Sequence, residues 1–450
     1  MDALKDIIRT CPIIDNHAHN LLRYDKLETY SLLTATTEAQ GKALLDTPRS
    51  LSHLRAVKQL RELYGCPKDT TWDDLMEKRR ELLEADPDLL TTRCLEGIHA
   101  ILIDDGINDE DTVYPYDWHD QFVSTPTRRI VRIETVAASI MKAMCEEGQI
   151  PSAPYIANFD HGPAWVLFLQ TFETAIADEI KSGNVAGFKS VCCYRTGLDV
   201  KVDSEINVAT AGQDAFLQYI RDSTHGNYRI GIKGLNDCLV ISTCRLLAAG
   251  NELAGISKPL QFHTGLGDND ISLLRSNPAY LQPLISEFPT VKMILLHSAY
   301  PYTRKAGYLA TVYPNVYLDL GEVFPMVSRD GQVGIIRQSL ELTPFTKLLW
   351  STDGHHFPET YWLANKQFRE VLERVLVGYV DEGDLTTEQA IETAKDIMFN
   401  NSNRVYHLNL QFPTRKAYPE VGHISLCLPK PRNRAYEPRK LRISPYYNIE

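Results

Sequence analysis

Two histidines separated by a single residue stand close to the start of the chain. The apolar run at 11–14 leads through Asp15 and Asn16 to His17 and His19. Side chains alternate between the two faces of a β-strand, so the imidazoles of a His-x-His strand point the same way. Imidazole is a common ligand of divalent zinc, and two on one strand favour a metal site. A short pattern recurs by chance, so this interpretation depends on the rest of the chain.

Three later apolar runs also end in residues that can bind a metal. They end at His263, His297 and Asp353, and Gly354 after the last of them favours a turn. Short apolar runs are typical of strands buried on both faces. In a (β/α)8 barrel the C-terminal ends of all strands meet at one face, where active sites lie. A structural histidine or a turn aspartate is the simpler interpretation of any one position, but their joint occurrence predicts one metal centre.

The composition is that of an ordinary soluble globular protein. The chain has 450 residues, with 44% hydrophobic and 23% charged residues, which is enough for a large barrel with insertions. The formal net charge of −11 argues against a nucleic-acid binder. No apolar stretch approaches the roughly 18 residues of a membrane span. Nine scattered cysteines and the lack of a secretion signal predict reduced thiols and a cytoplasmic location.

Eight short apolar segments are candidate strands, and helical spacing occurs between most of them. The helical segments include 165–181, 213–224 and 271–288. Alternation of strands with helices predicts parallel βα units, and eight of them predict an α/β fold, a closed (β/α)8 TIM barrel over residues 1–410. The predicted strands are 13–17, 100–104, 130–134, 187–191, 260–263, 293–297, 316–320 and 348–352.

Two segments depart from the simple barrel pattern. Roughly 80 residues follow the first strand before the second, far more than a βα unit needs. We predict a helical insertion there, at about 25–95, with helices at 51–64 and 72–85, as a cap over the pocket or as a plain surface insertion. Residues 411–450 form a proline-rich C-terminal extension with eight Lys or Arg against three Glu. Such a segment is either an extended arm packed on the barrel or a neighbouring subunit, or a loose tail.

The strand-end residues and their order resemble the amidohydrolase superfamily of metal-dependent barrels. Over about residues 8 to 410, the chain is more narrowly similar to the amidohydrolase-related group fused to glutamine-synthetase-like domains in fungal and plant nodulin-type proteins. No glutamine-synthetase-like region follows here, so we expect a free-standing hydrolase. The segments that carry the narrower resemblance are 14–22, 61–66, 103–106, 188–190, 194–198 and 400–406.

The resemblance makes Lys189, on the fourth predicted strand, decisive for the number of metal ions. A charged lysine is costly in an apolar setting, and many members of the superfamily carry a carboxylated lysine there that bridges two ions. The two-ion arrangement, which we favour, uses three ligands for one ion and two for the other: His17, His19 and Asp353, then His263 and His297. With unmodified Lys189, the resemblance implies one ion held by His17, His19, His263 and Asp353, with His297 polarising the substrate. A plain salt bridge is a third interpretation of Lys189.

The chemistry expected from these residues is hydrolysis. A metal-activated hydroxide would attack an amide, γ-glutamyl amide, lactam or related C–N or C–O bond, and Asp353 would shuttle the proton. Zinc is the expected ion, with manganese and iron as alternatives. Asp353 as a helix N-cap or turn residue is the structural alternative. A metal-dependent decarboxylase of the same superfamily and a catalytically silent barrel scaffold are the alternative functions.

Tyr194 and Arg195 follow the fourth predicted strand and are the predicted substrate-binding residues. Arg195 can bind a substrate carboxylate through two parallel hydrogen bonds, although a surface ion pair explains it almost as well. We therefore expect a small-molecule substrate that can bear a carboxylate, with neither nucleic acid nor membrane as a partner. A homo-oligomer is expected from the resemblance and from the C-terminal extension.

Overall fold

The computed structural model describes residues 1–107, 111–150, 161–222, 229–255 and 257–413. Eight strands form one parallel sheet whose strand order follows the chain, with helices between the strands, so the predicted (β/α)8 barrel is confirmed. The predicted C-terminal arm lies outside the described residues from 414 onward. The strands are β1 Ile13–His19, β2 Ile98–Asp104, β3 Arg128–Arg132, β4 Val185–Ser190, β5 Leu260–Phe262, β6 Met293–Leu295, β7 Val316–Asp319 and β8 Leu348–Leu349.

Fifteen α-helices are described in addition to 3-10 segments and one π-helical segment at Asp396–Asn400. None of them combines the length and the apolar run that a membrane span requires. They are α1 Asp2–Thr10, α2 Leu51–Tyr64, α3 Trp72–Ala85, α4 Pro87–Cys94, α5 Ile133–Glu146, α6 His161–Lys181, α7 Glu205–Asp222, α8 Lys233–Ala254, α9 Gln282–Glu287, α10 Thr303–Val312, α11 Val323–Met326, α12 Arg329–Leu340, α13 Pro358–Asp381, α14 Thr387–Lys395 and α15 Asn401–Val405.

The helix predicted over 271–288 was wrong in its first part. Residues before Asn277 form turns, Asn277 then caps a 3-10 turn at Pro278–Leu281, and only Gln282–Glu287 is α-helical. Proline lacks a backbone N–H, so Pro278 and Pro283 suit the first turns of two short elements and not the interior of one long helix.

Two compact units divide the described chain, with boundaries inside β3 and β7. The first contains Met1–Arg129, Gly267–Asn269 and the described residues of Leu318–Pro438. The second contains the described residues of Ile130–Leu266 and Asp270–Tyr317.

In the first unit, the first strand of the barrel meets the last. Every residue of β1 is buried, and β1 pairs in parallel with β2 as β7 does with β8. The amide of Asn16 donates to Trp350 O at 3.3 Å, and the amide of Asp353 donates to His17 O at 3.0 Å. These bonds bring the segment after β8 alongside β1.

The insertion of the first unit has the helices that the sequence predicted, α2 over 51–64 and α3 over 72–85. Ser50 and Thr71 cap them through side-chain oxygens that accept backbone N–H groups. Arg79 of α3 donates to Glu359 of α13 at 2.6 Å, and Tyr64 of α2 donates to the same carboxylate at 2.7 Å. Glu359 is fully buried, so the insertion is anchored to the first turn of α13. Its role as a cap stays a prediction.

The second unit places short strands beside long helices. Strand β4 pairs with β5, and β5 pairs with β6, all in parallel. An aromatic core formed by Trp165, Phe168 and Phe172 of α6 and Phe216 of α7 packs in this unit. Because β5 and β6 have only three residues each, His263 and His297 lie in the loops that follow the strands.

Candidate metal centre

Three predicted metal ligands come together in the first unit, and we call His17, His19 and Asp353 the metal-ligand group. Nε2 of His17 and Nε2 of His19 each lie 3.3 Å from Oδ1 of Asp353. The two imidazole rings are 4.9 Å apart and nearly perpendicular. The three candidate ligand atoms all lie within 4.8 Å of one another. The histidines are buried, whereas the Asp353 side chain is 12% exposed.

The spacing of the metal-ligand group fits a divalent ion. In a tetrahedral site with bonds of about 2.0–2.1 Å, neighbouring ligand atoms are about 3.4 Å apart. Nδ1 of His19 donates to the carbonyl of Asp104 at 2.9 Å. A carbonyl only accepts, so Nδ1 carries the proton and the lone pair of Nε2 faces the Asp353 carboxylate. Two electron-rich atoms so placed are stabilised by a cation or a proton, and backbone carbonyls commonly orient metal-binding histidines in this way.

The backbone at Asp353 is held in an uncommon conformation. Its φ is +52°, in the left-handed region that non-glycine residues rarely adopt. The amide of His19 donates to Gly354 O at 2.7 Å, and Tyr361 donates its hydroxyl to His19 O. A Cβ at Gly354 would overlap the Tyr361 ring. Close packing therefore fixes the turn that aims Asp353 at the histidines.

A buried carboxylate ties this turn to β1. Asp15 is fully buried and accepts hydrogen bonds from the amide of Thr352, at 2.9 Å, and from the Thr352 hydroxyl. That hydroxyl in turn accepts from the amide of Gly354 at 2.9 Å. Burial raises the pKa of Asp15 to about 8, although the hydrogen bonds from Thr352 lower it. Asp15 and Thr352 were not among the predicted site residues, because no periodicity marks a hydrogen bond across so many residues.

A third residue that sequence reasoning missed is Glu38, which comes from the insertion. Burial raises the pKa of Glu38 to about 7, His355 opposes this, and Asp353 and Asp268 add to it. Two residues further along the chain, Gln40 donates to Asp268 at 3.4 Å. No signal in the sequence distinguishes Glu38 from the other carboxylates of the insertion.

The second unit holds the other two predicted histidines, which we call the histidine pair. The rings of His263 and His297 are 4.3 Å apart. His263 donates from Nε2 to Leu266 O at 2.7 Å, which leaves the lone pair on Nδ1. His297 has a φ of +66°. The hydroxyl of Thr264 donates to Leu296 O at 2.6 Å, so the two loops that carry the pair are bonded to each other.

The remaining predicted site residues also lie in the second unit. Lys189 is on β4, opposite Gln261 of β5, and is only 2% exposed. Tyr194 packs its ring 4.3 Å from the His263 ring. Arg195 is half-buried, with its guanidinium carbon 6.0 Å from the Tyr194 ring. Tyr194 and His263 are therefore neighbours, as a shared site requires.

Comparison with known proteins adds a family match. A family model described as Amidohydrolase matches residues 164–408 of this chain. Protein fluG of Emericella nidulans is 49% identical over 418 residues, which make up 92% of this chain and 48% of that protein. The chain thus spans about half the length of the curated relative that it matches.

Solved structures show the same barrel. A protein of Lactobacillus casei, described as a candidate metal-dependent hydrolase, is 25% identical with a TM-score of 0.69, and the match covers 90% of this chain and 97% of that one. Uronate isomerase of Thermotoga maritima is 14% identical with a TM-score of 0.61, and the match covers 90% of this chain and 96% of that one. At 14% identity the second likeness concerns the fold alone.

Proposed function

The chain belongs to the amidohydrolase family, and from this premise we propose that it is a metal-dependent hydrolase of an amide or related C–N or C–O bond. The observation that carries the proposal is the spacing of the metal-ligand group, in which two imidazole nitrogens lie 3.3 Å from one carboxylate oxygen. The likeness to the Lactobacillus casei protein supports hydrolysis, because it extends over nearly the whole of both chains.

The side chains of the metal-ligand group have different roles in the proposed reaction. A divalent ion, zinc in the first instance, supplies Lewis-acid chemistry when bound: it lowers the pKa of water and polarises a carbonyl. His17 and His19 bind through Nε2, and the Asp104 carbonyl holds the His19 ring in place. Asp353, the one partly exposed member, takes a proton from the attacking water and returns it to the leaving group.

The number of ions belongs to the same proposal. A carboxylated Lys189 together with the histidine pair provides for a second ion, as the sequence predicts. An unmodified Lys189 limits the protein to one ion and leaves His297 to polarise the substrate. Mass measurement of the intact protein under native conditions distinguishes the two forms of Lys189, and metal analysis counts the ions.

We also propose a cytoplasmic enzyme. No disulfide joins the cysteines in the described part of the chain, and most of these cysteines are buried. Reduced thiols are the rule in reducing compartments. The small-molecule substrate and the homo-oligomer stay predictions from the sequence.

The test of the proposed function is metal content and hydrolysis in one variant series. His17→Ala should lose bound metal and hydrolysis of a panel of amides, γ-glutamyl amides and lactams, with an unchanged circular dichroism spectrum. The matched control is His407→Ala, since His407 is exposed and outside the metal-ligand group. Wild-type protein that remains metal-free after expression in metal-supplemented medium, or full turnover by His17→Ala, would contradict the proposal.

A further inference from the structure

Arg195 stands on a loop that has little freedom. The carbonyl of Cys192 accepts three successive amides, those of Arg195 at 3.0 Å, Thr196 at 2.8 Å and Gly197 at 3.0 Å. Gly197 has a φ of +89°, and a Cβ there would come within 2.7 Å of the Arg275 side chain. A residue other than glycine would be strained and crowded at that point. The backbone under Arg195 is therefore rigid.

The start of the same loop is anchored by a buried carboxylate. Oε1 of Glu134 accepts the Ser190 hydroxyl at 2.6 Å and the Val191 amide at 3.0 Å. Burial raises the pKa of Glu134, and these hydrogen bonds lower it. Glu134 thus holds the end of β4, and no ion pair joins its carboxylate to Arg195 within the described residues.

The guanidinium of Arg195 has neither an ion pair nor a hydrogen bond within the described residues, although it is half-buried. Burial and the like charges of Arg229 and Arg132 lower the pKa of Arg195. Asp270, the other carboxylate whose charge affects the pKa of Arg195, already forms an ion pair with Arg229. Arg195 is therefore a half-buried positive charge with no carboxylate in ion-pair contact within the described residues, which is costly unless a ligand supplies a negative group.

A row of contacts leads from this charge to the histidine pair. The Arg195 guanidinium faces the Tyr194 ring at 6.0 Å, and Tyr194 packs on His263 at 4.3 Å. His263 in turn packs on His297 at 4.3 Å. A small molecule bound at Arg195 would therefore extend along Tyr194 toward two imidazoles.

We propose that Arg195 binds the carboxylate of an anionic substrate whose reacting bond lies beside the histidine pair. The guanidinium fork matches a carboxylate with two parallel hydrogen bonds, and the rigid loop reduces the entropy cost of binding. The substrate class is a small amide that also carries a free carboxylate, such as a dicarboxylic acid monoamide or an acyl amino acid. The inference rests on the proposed function, because it takes the histidine pair to act in the proposed hydrolysis.

Calorimetric titration with simple probes tests this inference. Succinate, glutarate and adipate are titrated into the protein as purified and after chelator treatment, with their uncharged diamides as references. Arg195→Gln should weaken the best dicarboxylate by about ten- to a hundredfold and leave the diamides unchanged. Arg195→Lys should recover part of the loss, because it keeps the charge but not the fork. The matched control is Arg245→Gln, whose side chain pairs with Glu205 at the surface.

Three outcomes would overturn the inference. They are unchanged dicarboxylate affinity in Arg195→Gln, a wild-type protein that binds none of the three acids, and preferential binding of inorganic phosphate. The titration after chelator treatment separates this inference from the proposed function. The part of the dicarboxylate affinity that depends on Arg195 should persist without metal and in His17→Ala. If the wild-type protein shows no metal-dependent hydrolysis, the proposed function is refuted. The titration with dicarboxylates still tests the role of Arg195 in that case.

Discussion

The metal-ligand group and the histidine pair are built on different kinds of backbone. His17 and His19 occupy a seven-residue strand that is buried throughout, and their group has its own carboxylate in Asp353. His263 and His297 follow three-residue strands and lie in loops. Strand alternation orients the first two rings, whereas a carbonyl contact to Leu266 and a left-handed φ orient the second two.

The difference shows which part of a site a simple pattern can specify. On a regular strand, a spacing of two residues determines that two side chains share a face. In a loop, the direction of a side chain depends on local turns and on hydrogen bonds from distant residues. We expect the metal-ligand group to bind an ion by itself, and the histidine pair to matter mainly for the reaction.

The largest expected effect comes from removing one histidine from each set, which tests whether the two sets have different roles. His263→Ala should abolish most hydrolysis and yet retain at least one ion per chain, because His17, His19 and Asp353 remain together. His17→Ala should lose both hydrolysis and bound metal. Elemental analysis and an activity assay on the same samples check this. A His263→Ala protein as empty of metal as His17→Ala would show that the metal-ligand group does not bind an ion unaided.

Acid should weaken the scaffold of the metal-ligand group through His119. This histidine is fully buried, donates from Nδ1 to Tyr116 O at 3.0 Å and accepts the Leu21 amide at Nε2 at 3.3 Å. Burial lowers the pKa of His119 from 6.5 to about 4. The unfolded chain therefore takes up a proton that the folded protein does not, and stability is lost as pH falls from 6.5 to about 4.

The size of that loss is about 3 kcal/mol for the shift in His119. His119→Gln should flatten the dependence of the unfolding free energy on pH over this window, measured by urea denaturation, whereas His407→Gln at an exposed position should not. If the unfolding free energy of wild type and His119→Gln falls equally with pH, protonation of His119 is not the cause of the loss of stability in acid.

The mildest test concerns the turn that carries Asp353. Thr352→Val removes the hydroxyl that links Asp15 to Gly354 and should lower metal affinity by about ten- to a hundredfold, as for other residues that orient ligands. Thr352→Ser keeps the hydroxyl and should stay near wild type. Competition with a chromogenic chelator measures both. Equal affinity in the two variants would mean that packing alone holds Asp353.

Much of the fold could be predicted because its elements are regular. Buried apolar runs predicted the strands to within a few residues, and a composition rich in leucine, lysine, arginine and glutamate predicted α2 and α3. The stretch at 271–288 has the same apolar content as a helix, but the two prolines and the cap at Asn277 divide it. Local turn chemistry outweighed periodicity there.

The site was predictable in part, for the same reason. The alternation of β1 brings His17 and His19 to one face, as expected. Asp353 was expected just past the last strand, but β8 ends at Leu349 and a loop carries the aspartate. The interactions that place it, from Asp15 and Tyr361, join residues more than three hundred positions apart. Such long-range hydrogen bonds leave no periodic trace in the sequence.

The left-handed backbone at Asp353 and His297 matters for anyone who engineers this protein. Each such residue costs of order 1–3 kcal/mol, and glycine in its place relieves that cost. Directed evolution scored on heat resistance alone will therefore reward Asp353→Gly and His297→Gly, and with them the loss of turnover. Libraries built for thermal tolerance should keep both codons fixed and seek their gains elsewhere.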